Sequence, residues 1–283
     1  MIRYTRMPAR AQAAVQSQPF HRFVFPDGNV WTEFYRLRLD YLLRFPDLAD
    51  FEVSGDGTAV NAYPAEATDD ETVDHLYNNQ VVPLALSRQG RPSFHASVVT
   101  VPGGTVAFLG KTGMGKSTLA ASFALEESEF LTDDALIIDE TDGIRAMPSH
   151  ASLRLWEDSV EALVGDDRAQ ARSYTNYSSK ARLLAGESLS HREEPLPVLA
   201  AFLLELECAS DITIRALAGA ERQMAWVNNS FLLDIEDRLL LAQHFDWTHR
   251  IAEAVPTFSL DYPRGYGMLR DVRDAVRKCV ATL

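Results

Sequence analysis

The chain has 283 residues, 46% of them hydrophobic, so it can form one large domain or one domain with a small partner. Its formal net charge of −13 argues against a nucleic-acid partner, because such binding is driven by basic residues that neutralise phosphates. Its apolar runs fall short of the roughly 18–20 residues that span a bilayer, so we expect no membrane partner.

Two further features predict a cytoplasmic protein. Residues 1–26 carry four arginines and no acidic residue, but they lack the apolar core of a secretory signal. The two cysteines, Cys208 and Cys279, follow no metal or disulfide spacing. We expect both thiols to act as small apolar fillers in a reducing compartment.

The first part of the chain has the pattern of a small β-rich domain. Residues 23–63 contain short runs of alternating apolar and polar side chains, separated by turn signals that contain glycine. Apolar spacing between Glu71 and Arg88 predicts a helix, although Pro83 falls in its middle. Because Gln-Gly-Arg-Pro at 89–92 breaks this pattern, we place a domain boundary after residue 89, which gives domains 1–89 and 90–283.

The second part of the chain predicts an α/β domain. Its pattern predicts strands over 93–100, 105–109, 130–132, 135–139, 198–207, 212–217 and 256–260, and helices over 117–124, 222–254 and 267–280. Residues 166–194 are polar and have little periodicity. They indicate either a mobile loop or a segment that faces a substrate.

A phosphate-binding loop is the most informative stretch of the sequence, and it reads Gly110-Lys111-Thr112-Gly113-Met114-Gly115-Lys116-Ser117. It lies between a predicted buried strand and the start of a helix. Glycines let backbone N–H groups turn toward an anion, and the helix N-terminus adds its positive dipole end. In this pattern Lys116 reaches the β- and γ-phosphates, and the Ser117 hydroxyl ligates Mg²⁺. The loop therefore predicts nucleotide binding.

Two sets of carboxylates after the loop are candidates for phosphoryl transfer, which needs a metal ligand and a group that positions or deprotonates the acceptor. Asp133 and Asp134 end a strand that we expect beside the loop strand, at the edge where ligands bind in such sheets. Asp139 ends the next apolar strand and is an alternative metal ligand. The position directly after the loop helix favours the Asp133-Asp134 pair.

Several basic residues are further candidates for the site. His95 precedes the strands that lead into the loop, and it is either a structural histidine or part of the site. Arg154, Lys180 and Arg182 are candidate phosphate clamps, and the interpretation that the sequence favours for each one alone is a solvated surface charge.

The order of these pieces resembles the HPr kinase/phosphorylase-like proteins, in the phosphoenolpyruvate-carboxykinase-like branch of phosphate-loop folds. The resemblance rests on His95-Ala96-Ser97, the loop and Asp133-Asp134, and it covers about residues 90–283. Residues 153–159 and 255–266 also resemble the stand-alone members. The family implies an α/β kinase domain with a mixed sheet, here preceded by the small β-rich domain.

This resemblance implies a role for each matched residue. Residues 110–117 would bind the triphosphate of ATP, with Lys116 taking part in catalysis. Thr118 would extend the cap of the loop helix. The family thus implies ATP and Mg²⁺ as the nucleotide and the metal.

The acidic pair would do the chemistry of transfer. Asp133 would act as general base on a serine hydroxyl, while Asp134 would hold Mg²⁺ together with Ser117, and the reverse assignment stays open. His95 would lie near the transferred phosphate. Lys180 falls where such kinases often carry a basic residue in a flexible segment.

One departure bears on the acceptor. True HPr kinases carry a Glu-Val-Arg-Gly-Leu-Gly-like run after the acidic pair, which residues 139–164 do not contain. This argues against HPr as substrate and favours a serine in a peptide or small protein, such as a lasso-peptide precursor. A regulatory nucleotide-binding module and a small-molecule kinase are the alternatives. The sequence leaves a homo-oligomer open.

Overall fold

The computed structural model describes residues 2–25, 27–126, 128–165, 171–173, 180–186, 189–205 and 209–283. Cys208 and part of the polar stretch 166–194 lie outside these ranges. The chain forms two compact units, Met1–Arg91 with Phe231–His244 and Pro92–Ser230 with Phe245–Leu283. Sheets with both parallel and antiparallel pairs confirm the prediction of a mixed α/β chain. Within the described ranges, the helices are too short or too polar to cross a membrane.

The first unit contains a six-stranded sheet in the order β1-β6-β5-β4-β3-β2. The β1 and β6 strands pair in parallel, and the other neighbours pair antiparallel. The strands are β1 Arg3–Arg6, β2 His21–Val24, β3 Val30–Leu37, β4 Asp40–Phe45, β5 Ala49–Val53 and β6 Ala59–Pro64.

One row of side chains across this sheet forms the centre of its buried face. Phe34 lies opposite Leu43, Leu43 opposite Phe51, and Phe51 opposite Ala62. All four side chains are buried. Because side chains alternate between the two faces of a strand, the period-two pattern in the sequence places these residues on the same face.

The helical part of the first unit is irregular just before Pro83. A short α1 helix, Asp70–Leu76, begins at Asp69, whose carboxylate accepts the backbone N–H of Thr72 at 2.7 Å. A π-helical turn, Tyr77–Val81, then leads into α2, Val82–Arg88, which has the proline in its first turn. Proline has no N–H to donate, so the widened turn accommodates it without ending the helical path.

A segment from much later in the chain completes the first unit. Asp234 is buried and accepts two hydrogen bonds from the Arg36 guanidinium, at 2.6 and 2.8 Å, and one from the Tyr41 hydroxyl. Arg88 pairs with Asp237 at 2.7 Å. The predicted helix over 222–254 is thus two helices, α5 Gly219–Val227 and α6 Arg238–Ala254, separated by a segment that belongs to the other unit.

The second unit is built on a nine-stranded mixed sheet, in which β16 pairs in parallel with both β9 and β18. The β8 strand pairs antiparallel with both β9 and β10. The strands are β7 Ser93–Phe94, β8 Ala96–Val101, β9 Gly104–Leu109, β10 Phe130–Thr132, β11 Leu136–Asp139, β12 Arg145–Met147, β16 Leu196–Leu204, β17 Thr213–Ala216 and β18 Thr257–Asp261.

A smaller sheet and three more helices complete the second unit. The sheet is antiparallel and has the order β13-β15-β14, with β13 Ser152–Leu155, β14 Ala171–Ser173 and β15 Ala181–Leu184. The helices are α3 Lys116–Ala124, α4 Glu157–Val164 and α7 Leu269–Val280.

The β9 strand is buried on both faces of the large sheet. Val106 and Phe108 belong to one hydrophobic cluster, together with residues of α3 and α7. Ala107 and Leu109 belong to a second cluster, together with Trp226 and residues of α6. Burial on both faces demands consecutive apolar residues, and Val106 to Leu109 supply them. Thr105 is also buried, and its hydroxyl donates to the Pro197 carbonyl at 3.0 Å. The buried strand therefore fixes the position at which the following loop begins.

Candidate functional site

The predicted phosphate loop connects the end of β9 to the start of α3. Gly115 occupies the N-terminal cap of the helix with φ +86°, a conformation that favours glycine. A β-carbon at Gly110 would lie 3.2 Å from the carbonyl oxygen of Leu204, so the loop also begins where space is tight. The N–H groups of a first helical turn have no partner within the helix, so this end of α3 is suited to an anion.

Lys116 lies folded across the start of the loop. Its Nζ donates to the carbonyl oxygens of Gly110 at 2.6 Å and Lys111 at 3.1 Å, and the side chain is 5% exposed. Burial lowers the pKa of this ammonium to about 8, against the opposing effect of Asp134 and Asp133. A charged group held at the loop and poorly solvated interacts strongly with a phosphate.

Asp133 is the hydrogen-bonding centre of the site. Its carboxylate accepts the Ser97 hydroxyl at 2.5 Å, the Ser117 hydroxyl at 2.9 Å and the backbone N–H of Arg154 at 3.1 Å. These donors come from β8, α3 and β13. Burial, followed by the neighbouring charge of Asp134, raises the pKa of Asp133.

The position of Asp133 follows from strand directions. Because β8 is antiparallel to both β9 and β10, those two strands run the same way and end at the same edge. The prediction that the strand of Asp133 neighbours the loop strand is wrong, since β8 lies between them. The intervening β8 contributes Ser97, which hydrogen-bonds to the carboxylate.

Asp134 has a left-handed backbone conformation, with φ +69°. Aspartate tolerates this region better than most residues, but it still stores about 1 kcal/mol or more of strain. The turn is closed by hydrogen bonds from the Ala135 N–H to the Asp133 carbonyl and from the Thr132 hydroxyl to the Ala135 carbonyl. Asp134 is less buried than Asp133, and its charge raises the pKa of Lys116 against the larger effect of burial.

His95 occupies the break between β7 and β8, inside the region predicted as one strand. Its Nδ1 is 2.9 Å from the backbone carbonyl of Asp134, so Nδ1 carries the proton and Nε2 is the acceptor nitrogen. Burial and the charge of Lys116 lower the pKa of this imidazole to about 4. His95 is therefore neutral at pH 7. Its hydrogen bond to the carbonyl holds the backbone of Asp134 in place.

Asn229 joins these parts, and nothing in the sequence pattern indicated it. Its Oδ1 accepts the backbone N–H of Gly110 at 3.0 Å, and its carbonyl oxygen accepts that of His95 at 2.5 Å. Its Nδ2 donates to the Ala225 carbonyl at 2.8 Å. The residue is buried just after α5 and ties the helix end to the loop.

Arg264 is a second residue that the pattern did not single out as part of the site. Its guanidinium donates to the carbonyl oxygen of Met114 at 3.2 Å and to that of Glu205, and it lies 4.4 Å from the centre of the Tyr262 ring. A β-carbon on Gly115 would come within 3.7 Å of the Tyr262 hydroxyl. The residues that directly follow β18 thus contact the loop.

Other candidate residues lie around this centre. The Thr118 hydroxyl is 3.1 Å from that of Ser159, which is 3.2 Å from the Tyr266 hydroxyl. Lys180 lies over the exposed ring of Trp156, with 5.4 Å from its Nζ to the ring centre. The charge of Lys180 is felt at Asp133, whose pKa it lowers against burial.

Three more candidates are Arg154, Arg182 and Asp139. Arg154 and Arg182 are opposite each other in the pairing of β13 with β15. Arg154 contributes its backbone N–H to Asp133, and its side chain is buried. Asp139 ends β11 and accepts the N–H and hydroxyl of Thr141, so its carboxylate serves the turn that follows the strand.

The metal-ligating groups of the described residues do not form a closed metal site, since no three His, Cys, Asp or Glu side chains lie together. The oxygens of Ser117 and Asp133 are nevertheless suitable ligands for Mg²⁺, which prefers oxygen and keeps several positions for water and substrate phosphates. The residues present fit a metal that binds together with a nucleotide.

Comparison with known proteins adds a distant likeness to a solved structure. No family model and no curated protein matches the sequence. Among solved structures, the Hpr(Ser) kinase/phosphatase from Coxiella burnetii is similar over 57% of this chain and 97% of its own, with 14% identity and a TM-score of 0.27. At this score and identity the likeness is too distant to assign a function, which must rest on the residues of the site.

Proposed function

We propose that the chain is an ATP- and Mg²⁺-dependent kinase that transfers the γ-phosphoryl group to a hydroxyl. The observation that carries this proposal is the hydrogen bond of 2.9 Å between Asp133 and the loop residue Ser117. It joins a buried carboxylate to the hydroxyl that follows the loop lysine. A generic glycine turn between a strand and a helix requires no such partner, whereas a Mg²⁺–nucleotide site does.

The loop and Lys116 would hold the phosphates of ATP. The first-turn N–H groups of α3 and the loop backbone supply donors, and the Lys116 ammonium supplies charge. Asn229 supports this arrangement by holding the Gly110 N–H at 3.0 Å, where the chain leaves β9.

Ser117 and Asp133 would hold Mg²⁺, which would supply positive charge against the negative charge that develops on the transferred phosphoryl group. This assigns the metal to Asp133 and not to Asp134, the reverse of the order that the family resemblance implied. Two hydroxyls and one N–H orient the Asp133 carboxylate, so it is fixed for ligation. A group that receives a proton from an incoming substrate needs to be more accessible than this.

Asp134 would then act on the acceptor. Its carboxylate takes the proton of the acceptor hydroxyl while the oxygen bonds to the γ-phosphorus. The bond from that phosphorus to the β–γ bridging oxygen breaks, and ADP leaves. His95 holds the Asp134 backbone through Nδ1 and fixes the turn from which the side chain extends.

For the acceptor, we propose a serine of a peptide or small protein, such as a lasso-peptide precursor. The family resemblance and the missing HPr-kinase run after Asp139 support this choice. We also propose a cytoplasmic protein whose kinase domain begins after residue 89 and follows a separate β-rich domain, with homo-oligomerisation to be measured.

Three variants test the mechanism. Lys116→Ala should weaken ATP binding by roughly 100-fold or more. Asp134→Asn should bind Mg·ATP as the parent does but transfer no phosphate. Asp133→Asn should need far more Mg²⁺ for half-maximal rate. Calorimetric titration with Mg·ATP and a Mg²⁺ dependence of turnover separate these outcomes. An Asp133→Asn protein with parental Mg²⁺ dependence would show that the two aspartates have the opposite roles.

The acceptor is tested by incubation with ATP, Mg²⁺ and serine-containing peptides encoded near the protein, followed by mass spectrometry. One added phosphate on serine, absent with Asp134→Asn, supports a peptide kinase. ATP turnover without any modified peptide would instead favour a small-molecule acceptor. Tight ATP binding without turnover would indicate a regulatory module.

A further inference from the structure

Arg264 makes contacts that a surface arginine would not be expected to have. The residue is exposed, yet its guanidinium is held by two carbonyl oxygens from different parts of the chain and by the ring of Tyr262. One carbonyl is that of Met114 in the loop, and the other is that of Glu205 just beyond β16. Charged donors to backbone carbonyls form stronger hydrogen bonds than neutral ones do.

The contact with Met114 fixes the orientation of one peptide group. In a trans peptide the C=O and the following N–H point in opposite directions. Because the Met114 carbonyl points toward Arg264, the Gly115 N–H points away from Arg264. The Gly115 N–H is one of the backbone donors that a phosphate loop turns toward its anion.

Gly115 makes this peptide group easy to rotate. Its φ of +86° is available to glycine at little cost, so the loop has no side-chain restraint against turning the Met114–Gly115 peptide over. A rotated peptide would present a carbonyl oxygen to the phosphates. A contact from outside the loop that holds the Met114 carbonyl would therefore keep the Gly115 N–H available to an anion.

We propose that Arg264 is a positioning residue of the phosphate loop, which holds the Met114 carbonyl outward and thereby directs the Gly115 N–H toward the phosphates of the nucleotide. This inference rests on the proposed nucleotide-binding function. Its specific consequence is that Arg264 acts on phosphate recognition and leaves recognition of the nucleoside unchanged.

The test measures the affinities of Mg·ATP, Mg·ADP and adenosine by calorimetry for the parent, Arg264→Ala, Arg264→Lys and Arg270→Ala. Arg270 is an exposed arginine on the nearby α7 helix and serves as the matched control. Loss of one charge-assisted hydrogen bond predicts about tenfold weaker binding of Mg·ATP and Mg·ADP to Arg264→Ala. Adenosine affinity should stay at the parental value. Arg264→Lys should recover part of the loss, because an ammonium can reach one carbonyl.

In turnover assays, the KM for ATP should rise for Arg264→Ala while the KM for the acceptor stays unchanged. Parental affinity of Arg264→Ala for Mg·ATP would overturn the proposal, and so would an equal loss for adenosine, which would indicate contact with the nucleoside. A parental chain that binds no Mg·ATP would overturn the proposed function itself. Thermal unfolding of each variant identifies a loss of affinity that comes from misfolding. If Arg264→Ala does not fold, the affinities of Arg264→Lys for Mg·ATP and adenosine test the proposal in its place.

Discussion

Each unit of the molecule contains a buried aspartate that accepts several hydrogen bonds, and the donors to the two carboxylates differ. Asp50 in the first unit accepts two hydrogen bonds from the Arg44 guanidinium, at 2.8 and 2.7 Å. Asp133 in the second unit accepts from two hydroxyls and one backbone N–H, and its neighbour in sequence is a second carboxylate. In the first arrangement a guanidinium neutralises the carboxylate. In the second, the donors are neutral and a second negative charge is next in sequence.

The difference separates carboxylates that pair with an arginine from a carboxylate whose charged form is unfavourable. Paired carboxylates such as Asp50 and Asp234 hold strands and segments of the first unit together. Burial alone would raise the pKa of Asp234, but its hydrogen bonds, among which those from Arg36 have the largest effect, lower that pKa. Burial and Asp134 instead raise the pKa of Asp133, so the folded state pays for keeping it ionised. Such groups are typical of functional sites.

The largest expected effect comes from removing the buried ammonium of the second unit. Lys116→Ala should weaken Mg·ATP binding by roughly 100-fold or more, because a poorly solvated charge that faces phosphate is lost. Calorimetric titration measures it. Lys278→Ala, which changes an exposed lysine on α7, is the control and should bind as the parent does. Parental affinity of Lys116→Ala would show that the buried ammonium of the second unit does not bind the nucleotide.

Substitution by asparagine should change the stability of the protein differently at the two buried aspartates. Asp50→Asn should destabilise the protein by about 3 kcal/mol, since it leaves Arg44 without its partner carboxylate. Asp133→Asn should unfold at the parental urea concentration or above it, because it removes a carboxylate whose charged form is unfavourable. Urea unfolding followed by circular dichroism checks both. An equal loss for the two variants would mean that Asp133 is also structural.

Acid should weaken the first unit through Asp234. A lowered pKa contributes stability that is present above the unfolded value of about 3.9 and is lost as pH falls through the folded value. Asp234→Asn should therefore be less stable than the parent by about 1–2 kcal/mol at pH 7, and the difference should shrink as pH falls below about 3.9. Melting temperatures of both proteins across this range test it. A constant difference would show that the carboxylate charge is not involved.

The smallest effect concerns the pH dependence of nucleotide affinity. With a pKa of about 8, Lys116 loses its charge as pH rises, so Mg·ATP affinity should fall about threefold between pH 7.5 and 8.5. His95, with a pKa of about 4, stays neutral over this range and adds no step. Lys116→Arg keeps its charge and should flatten the profile. A parental profile equally flat would mean that the ammonium is solvated.

The sequence determined the local parts of this protein. Consecutive apolar residues fixed β9 as a strand buried on both faces, and the spacing of glycines with Lys116 and Ser117 predicted a phosphate loop at its end. The π-helical turn before Pro83 was not predicted, because periodicity shows the apolar face of a helix but does not show how one missing N–H is accommodated. The roles proposed for Asp133 and Asp134 stay predictions until the variants are measured.

Only the tertiary structure decided which distant residues complete the arrangement. Asn229 and Arg264 reach the loop from 119 and 150 positions away, and β8 enters between the loop strand and the strand of Asp133. The segment Phe231–His244 joins the first unit although its neighbours in sequence belong to the second. A local pattern reports the backbone and the burial of adjacent residues. Hydrogen bonds between distant segments depend on how sheets and helices pack, and that is fixed by the whole fold.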